Sequence, residues 1–171
     1  MSEVYIRTGT TRQNFSIVYH ELWDVYHPLI GDKPTMYYLY LLRYRNNETN
    51  SSNHGKAWRG RKGVIEKFQL GYATMPVIDG ILEAAGLVDI EMRPSHNGAD
   101  KIYYTVHDPL AIEEFERKEH EITEKLVRFT QENAKAKGLI GKKLRGVAFP
   151  EKTDTSPEKK HTSGEKMKKN Y

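Results

Sequence analysis

The chain has 171 residues, 37% of them hydrophobic, and a mean hydropathy of −0.74, enough for one packed domain with polar extensions. The lack of cysteine excludes a disulfide framework, a thiolate zinc site and a cysteine nucleophile. No apolar run approaches the roughly 18 to 20 residues of a membrane span and no secretory signal is seen, so a soluble cytoplasmic protein is expected. The net charge of +4 invites a nucleic-acid partner. From Lys142 onward, however, nine Lys/Arg face four Asp/Glu, which puts the basic character in the tail and leaves the rest nearly neutral.

Residues 1–14 read as a flexible arm, with a short strand at Val4-Tyr5-Ile6. Phe15, Ile17 and Tyr19 alternate briefly before an aromatic stretch whose Leu22, Trp23 and Tyr26 suit a helix. That helix is expected to stop at His27-Pro28, because the residue before proline is pushed out of the helical basin. Asp32 then caps a second helix, apolar nearly all round from Met36 to Tyr44 and so buried. Arg45 to Trp58 is a polar loop without periodicity.

Arg61 to Val106 organises the chain. Val64, Ile65 and Phe68 share one face of a short helix that closes at Gly71. Thr74 is placed to cap the next helix, Pro76 sits in its first turn, and Val77, Ile78, Ile81, Leu82 and Ala85 form its apolar stripe up to Gly86. Leu87 to Arg93 and Ile102 to His107 alternate as two strands, joined by the polar connection 94–100. Helix, turn, helix and hairpin in this order make a winged helix-turn-helix over 15–108: a mainly α fold with a small β-hairpin.

From Pro109 to about Lys137 a long charged helix carries Phe115, Ile122, Leu126 and Phe129 on a narrow stripe. Its seven-residue steps fit a seam between two copies of the chain, and fit equally a stripe packed on the chain's own domain. Residues 138–171 lack apolar content and are expected to be a disordered basic tail.

A winged helix commonly lays its second helix in the major groove of duplex DNA, with the wing and the preceding turn on phosphates. The face expected to be open on that helix offers Thr74, Met75, Asp79 and Glu83, with no Arg or Lys. The cations lie beside it: Lys56, Arg59, Arg61 and Lys62 around the start of the preceding helix, and Arg93, His96 and Lys101 around the wing. Each of these alone reads best as a solvated loop charge, whereas the cluster reads as a phosphate surface. The tail lysines, with Lys142, Lys143 and Arg145 among them, could add affinity through counterion release or merely solubilise.

No enzyme is expected. The seven histidines show no metal-ligand spacing, Gly60-Arg-Lys-Gly63 lacks the order of a phosphate-binding loop, and the glutamates after Pro109 alternate with Arg117, Lys118 and Lys125 as helix ion pairs. Neither a metal nor a cofactor is called for.

Val25-Tyr26-His27-Pro28-Leu29-Ile30-Gly31, followed by Met36-Tyr-Tyr-Leu-Tyr-Leu-Leu42, resembles the N-terminal winged-helix domain of the DnaD and DnaB replication initiators of low-GC Gram-positive bacteria and their phages. The ending Ile81-Leu-Glu-Ala-Ala-Gly-Leu-Val88 is similar to that family's second helix and first wing strand, and to the plasmid initiators of the RepA N-terminal type. The similarity covers about 18–107, and nothing after Val106 matches the family's second domain with its Tyr-x-x-x-Ile-x-x-x-Trp motif. The resemblance implies a DNA-binding, self-associating protein of replication initiation or of plasmid or phage maintenance. Its implied partners are duplex DNA, further copies of the chain and replication proteins. A transcriptional regulator, or a protein-interaction module built on the same fold, are the alternatives.

Overall fold

The computed structural model describes residues 15–52, 54–57, 61–98 and 101–151, with backbone alone at 56, 57, 61 and 62. Residues 1–14, with the strand expected at Val4–Ile6, and residues 152–171 lie outside the described residues.

A wide π-helical turn, Leu22–Tyr26, runs directly into α1, His27–Ile30. The helical path thus continues through Pro28 instead of stopping before it. The wide turn ends with the His27 N–H donating to the Leu22 carbonyl, and Pro28 then occupies the first turn of α1, where its missing N–H costs nothing. Gly31, at φ +85°, turns the chain into α2, Asp32–Tyr44. Asp32 does not cap α2 with its side chain; it pairs with His27 at 2.6 Å, while the Thr35 hydroxyl donates to the Gly31 carbonyl. Tyr37, Tyr38, Leu41 and Leu42 make α2 the central helix of the core.

The loop after α2 holds a strand, β1 (Lys56–Ala57), and α3 (Arg61–Phe68) and α4 (Met75–Ala84) follow. β2 (Val88–Arg93) and β3 (Lys101–Val106) form the hairpin, and β1 adds to the far side of β3 in a three-stranded antiparallel sheet of order β1-β3-β2. A two-residue strand carries no periodicity of its own; its pairing to Tyr104 and Thr105 and the bond from the Val106 N–H to the Gly55 carbonyl define it. Helix α5, Ile112–Glu132, is followed by a 3₁₀ turn, Ala134–Gly138, and by α6, Lys142–Ala148. The coarse expectation holds: the chain is mainly helical with a small antiparallel sheet.

The disorder expected from 138 does not begin there. Ala136, Ile140, Leu144 and Ala148 are buried, and α6 packs against α1 and α5. Four apolar side chains spaced by four residues give this segment one buried face, which a tally of its composition averages away.

The self-association stripe is also internal. Phe115 meets the Tyr26 ring edge-on at 5.0 Å, Ile122 and Leu126 are buried in the common core, and Phe129 lies half-buried against Gly80 of α4. Phe115, Ile122 and Leu126 are therefore not open to a second copy. Among the described residues no helix is long and apolar enough to cross a membrane.

Candidate nucleic-acid interface

β1 runs antiparallel to β3, with Lys56 opposite Thr105 and Ala57 opposite Tyr104. The chain leaving Ala57 therefore heads toward the hairpin end where β3 begins, at Lys101. The backbone of Arg61 and Lys62 opens α3 four residues later, while Arg59 lies outside the described residues. At that same end Arg93 and Lys101 are direct cross-strand partners. Two cations opposite one another repel, so their own fold gains nothing from the pairing. Arg93 is partly compensated: its guanidinium donates to both carboxylate oxygens of Glu91, at 2.9 and 3.2 Å, and lies 4.5 Å from the Tyr103 ring centroid. The hydrogen bond from Arg93 to Glu91 pushes the Arg93 pKa up, which keeps the charge in place. Lys101 is exposed, as is His96 in the turn of the wing.

Helix α4 is arranged differently from the expectation. Met75 is fully buried and belongs to the core, because the first turn of α4 points inward. Asp79 is buried as well, 3% exposed, and its carboxylate accepts from the Tyr104 hydroxyl at 3.0 and 3.2 Å. A carboxylate so deep must be hydrogen-bonded to be tolerated, and Tyr104 on the adjoining strand supplies the donor. Thr74 stands before α4 half-buried, without a capping hydrogen bond from its side chain. Gly80 is overlain by Phe129, so α5 covers a second side of the helix. The outward face that remains consists of Pro76 and Glu83.

Of the expected DNA-contact residues, the strand register sets Arg93 and Lys101 together at the wing end of the sheet, with His96 in the turn of the wing, while Arg61 and Lys62 open α3. Met75 is removed from the set and Thr74 contributes little surface. The strand carrying Lys56 feeds this end. Across 15–151 the chain carries 19 Lys/Arg and 19 Asp/Glu, so any positive surface there is local. Among the described residues no three His, Asp or Glu side chains are grouped to hold a metal ion. The deeply buried acid, Asp79, is closed off from solvent together with Tyr104.

No protein-family model, curated protein or solved structure gives a significant match to this chain.

Proposed function

We propose that the chain is a non-catalytic winged-helix protein of replication or of plasmid or phage maintenance, and that it holds duplex DNA by the phosphate backbone. Its helices α2, α3 and α4 and the β1-β3-β2 sheet supply the order of parts that this reading needs. The observation that carries it is the like-charged Arg93 and Lys101 pair, set opposite one another at the wing end of the sheet toward which β1 runs. Repulsion between such groups is relieved when a polyanion is bound. α4 does not act as a reading helix here, because Phe129 covers one side and the open side presents an acid and a proline. Binding is therefore salt-dependent and weakly sequence-selective. Fluorescence anisotropy with a random-sequence duplex tests this: the wild type binds at low salt, and Arg61→Gln/Lys62→Gln/Lys101→Gln weakens binding. A wild type that binds no duplex at low salt sinks the proposal.

A second reading, a protein-interaction module, is favoured by exposed apolar residues at the start of the described chain. Phe15 is 78% exposed, Ile17 66% and Trp23 49%, all preceding or within the first helical turn. Under this reading the chain forms assemblies that Phe15→Ser/Ile17→Ser abolishes. A monomeric mass by light scattering in the wild type removes it.

A further inference from the structure

The acid-free run between Glu132 and Glu151 holds Lys135, Lys137, Lys142, Lys143 and Arg145, five of the 19 Lys/Arg that balance 19 Asp/Glu across 15–151, so the rest of that region carries an acidic excess. The run is ordered, and it builds one wall of a groove of about 600 Å³ against the corner between α1 and α2. Lys142, Lys143 and Arg145 line one side, and His27, Asp32 and Lys33 line the other. The corner is fixed by two glycines. A Cβ on Gly31 would overlap the Leu139 carbonyl, a Cβ on Gly141 would overlap the Pro28 carbonyl, and the Gly141 N–H donates to the Leu29 carbonyl at 2.9 Å. The cations are thus mounted on backbone that is locked together and not on a loose tail.

One of the cations is already answered within the chain, Lys143 pairing with Glu119 at 2.8 Å, while the Asp32 carboxylate on the opposite wall is hydrogen-bonded to the His27 ring at 2.6 Å. Arg145 donates to the Ile140 carbonyl at 3.2 Å, a neutral partner that leaves its charge uncompensated. Lys33 and Lys142 are exposed and make no ion pair with a described residue. Lys33, Lys142 and Arg145 therefore place three unanswered positive charges around one open groove. Three cations against the one carboxylate of Asp32 leave the groove net positive, and phosphates spaced along a backbone suit such a lining.

We infer that the groove between the α1–α2 corner and α6 is a second phosphate-contact surface for duplex DNA, separate from the wing; the identity of the partner rests on the DNA reading above. Beyond α6 the sequence 152–171 adds six lysines against three acids.

The test is an amide NMR titration of the full chain with a 12-base-pair random duplex. It is paired with the salt dependence of affinity for Lys33→Gln/Lys142→Gln and, separately, for Arg93→Gln/Lys101→Gln. The expected result is shifts at Lys33 and across Gly138 to Arg145, and a log–log salt slope shallower by about 1.8 in Lys33→Gln/Lys142→Gln, at roughly 0.9 for each phosphate no longer neutralised. Shifts at the wing alone, with an unchanged slope in that variant, overturn the groove and leave the wing standing. Shifts at the groove alone uphold it and overturn the wing. No shifts anywhere overturn both.

Discussion

The ring of Phe129, on α5, rests on Gly80 of α4 so closely that a Cβ at Gly80 would overlap its edge. This contact docks the long helix onto the face of α4 that a groove-reading helix would leave free. Alanine in place of a mid-helix glycine ordinarily stabilises by about 0.5 to 1 kcal/mol. Here overpacking, about 1 to 3 kcal/mol, outweighs that gain. Gly80→Ala should therefore destabilise the protein by about 1 to 2 kcal/mol in urea denaturation. In a Phe129→Ala background the same change should become stabilising, and a stabilising Gly80→Ala in the wild type would show that the ring does not lie there.

The Tyr104 hydroxyl serves a buried carboxylate, so its removal does more than delete one neutral hydrogen bond. Tyr104→Phe strips a donor from Asp79 while keeping the ring that packs edge-on against Tyr37 at 5.8 Å. The expected cost is about 1 to 3 kcal/mol. An unshifted denaturation midpoint would mean that Asp79 is satisfied without Tyr104.

Burial raises the pKa of Tyr38 and of Tyr26 above the ordinary 10.0. Asp108 adds to the rise at Tyr38, while the Leu110 N–H donating to the Tyr26 hydroxyl at 3.3 Å opposes it there. The unfolded chain releases these phenolic protons first, so stability is intact below about pH 10 and falls as pH rises beyond it. Stability measured between pH 9 and 11 should drop along this limb, and less steeply in Tyr38→Phe. That variant also loses the bond from Tyr38 to the His107 carbonyl, 2.6 Å, and so starts lower. A limb of equal slope in the two proteins would contradict the assignment.

Leu144 is the anchor of α6, fully buried in a segment whose composition resembles a solvated tail. Leu144→Ala should cost about 2 to 5 kcal/mol, as a large-to-small change in a packed core does. A change within 0.5 kcal/mol, the range roughly expected of surface positions, would return residues 138–151 to the tail.

Much of the fold is legible in the residues. The stripe Ile78, Ile81, Leu82, Ala85 and the glycine after it delimit α4, and the alternation at Val88 to Arg93 and Ile102 to Val106 delimits the hairpin. What is not legible depends on a third body. One helical period gives α4 a single inner face, but α5 covers another side, and that is visible only as a glycine at position 80 where a side chain would be obstructed. Asp79 reads as a surface acid by residue type; the signal that it is inside is Tyr104, an inward position on its strand whose hydroxyl needs a partner. β1 is too short to show a period, and α6 shows its buried face only when Ala136, Ile140, Leu144 and Ala148 are read at four-residue spacing. The wing-end cations follow from sequence, whereas the grouping of Lys33 with Lys142 and Arg145 requires the α1–α2 corner to meet α6.

The claim on which the functional account turns is that DNA is held at the wing end through phosphates and is not read by α4. The measurement that tests it most directly is the salt dependence of affinity for several unrelated duplex sequences, in wild type, in Arg61→Gln/Lys62→Gln/Lys101→Gln and in Pro76→Ala/Glu83→Ala. The account predicts nearly equal affinities for all sequences, a log–log slope shallower by about 2.7 in the triple variant, at roughly 0.9 for each phosphate, and no change of slope in the α4 variant. An unchanged slope in the triple variant, or a sequence preference that disappears in the α4 variant, would contradict it.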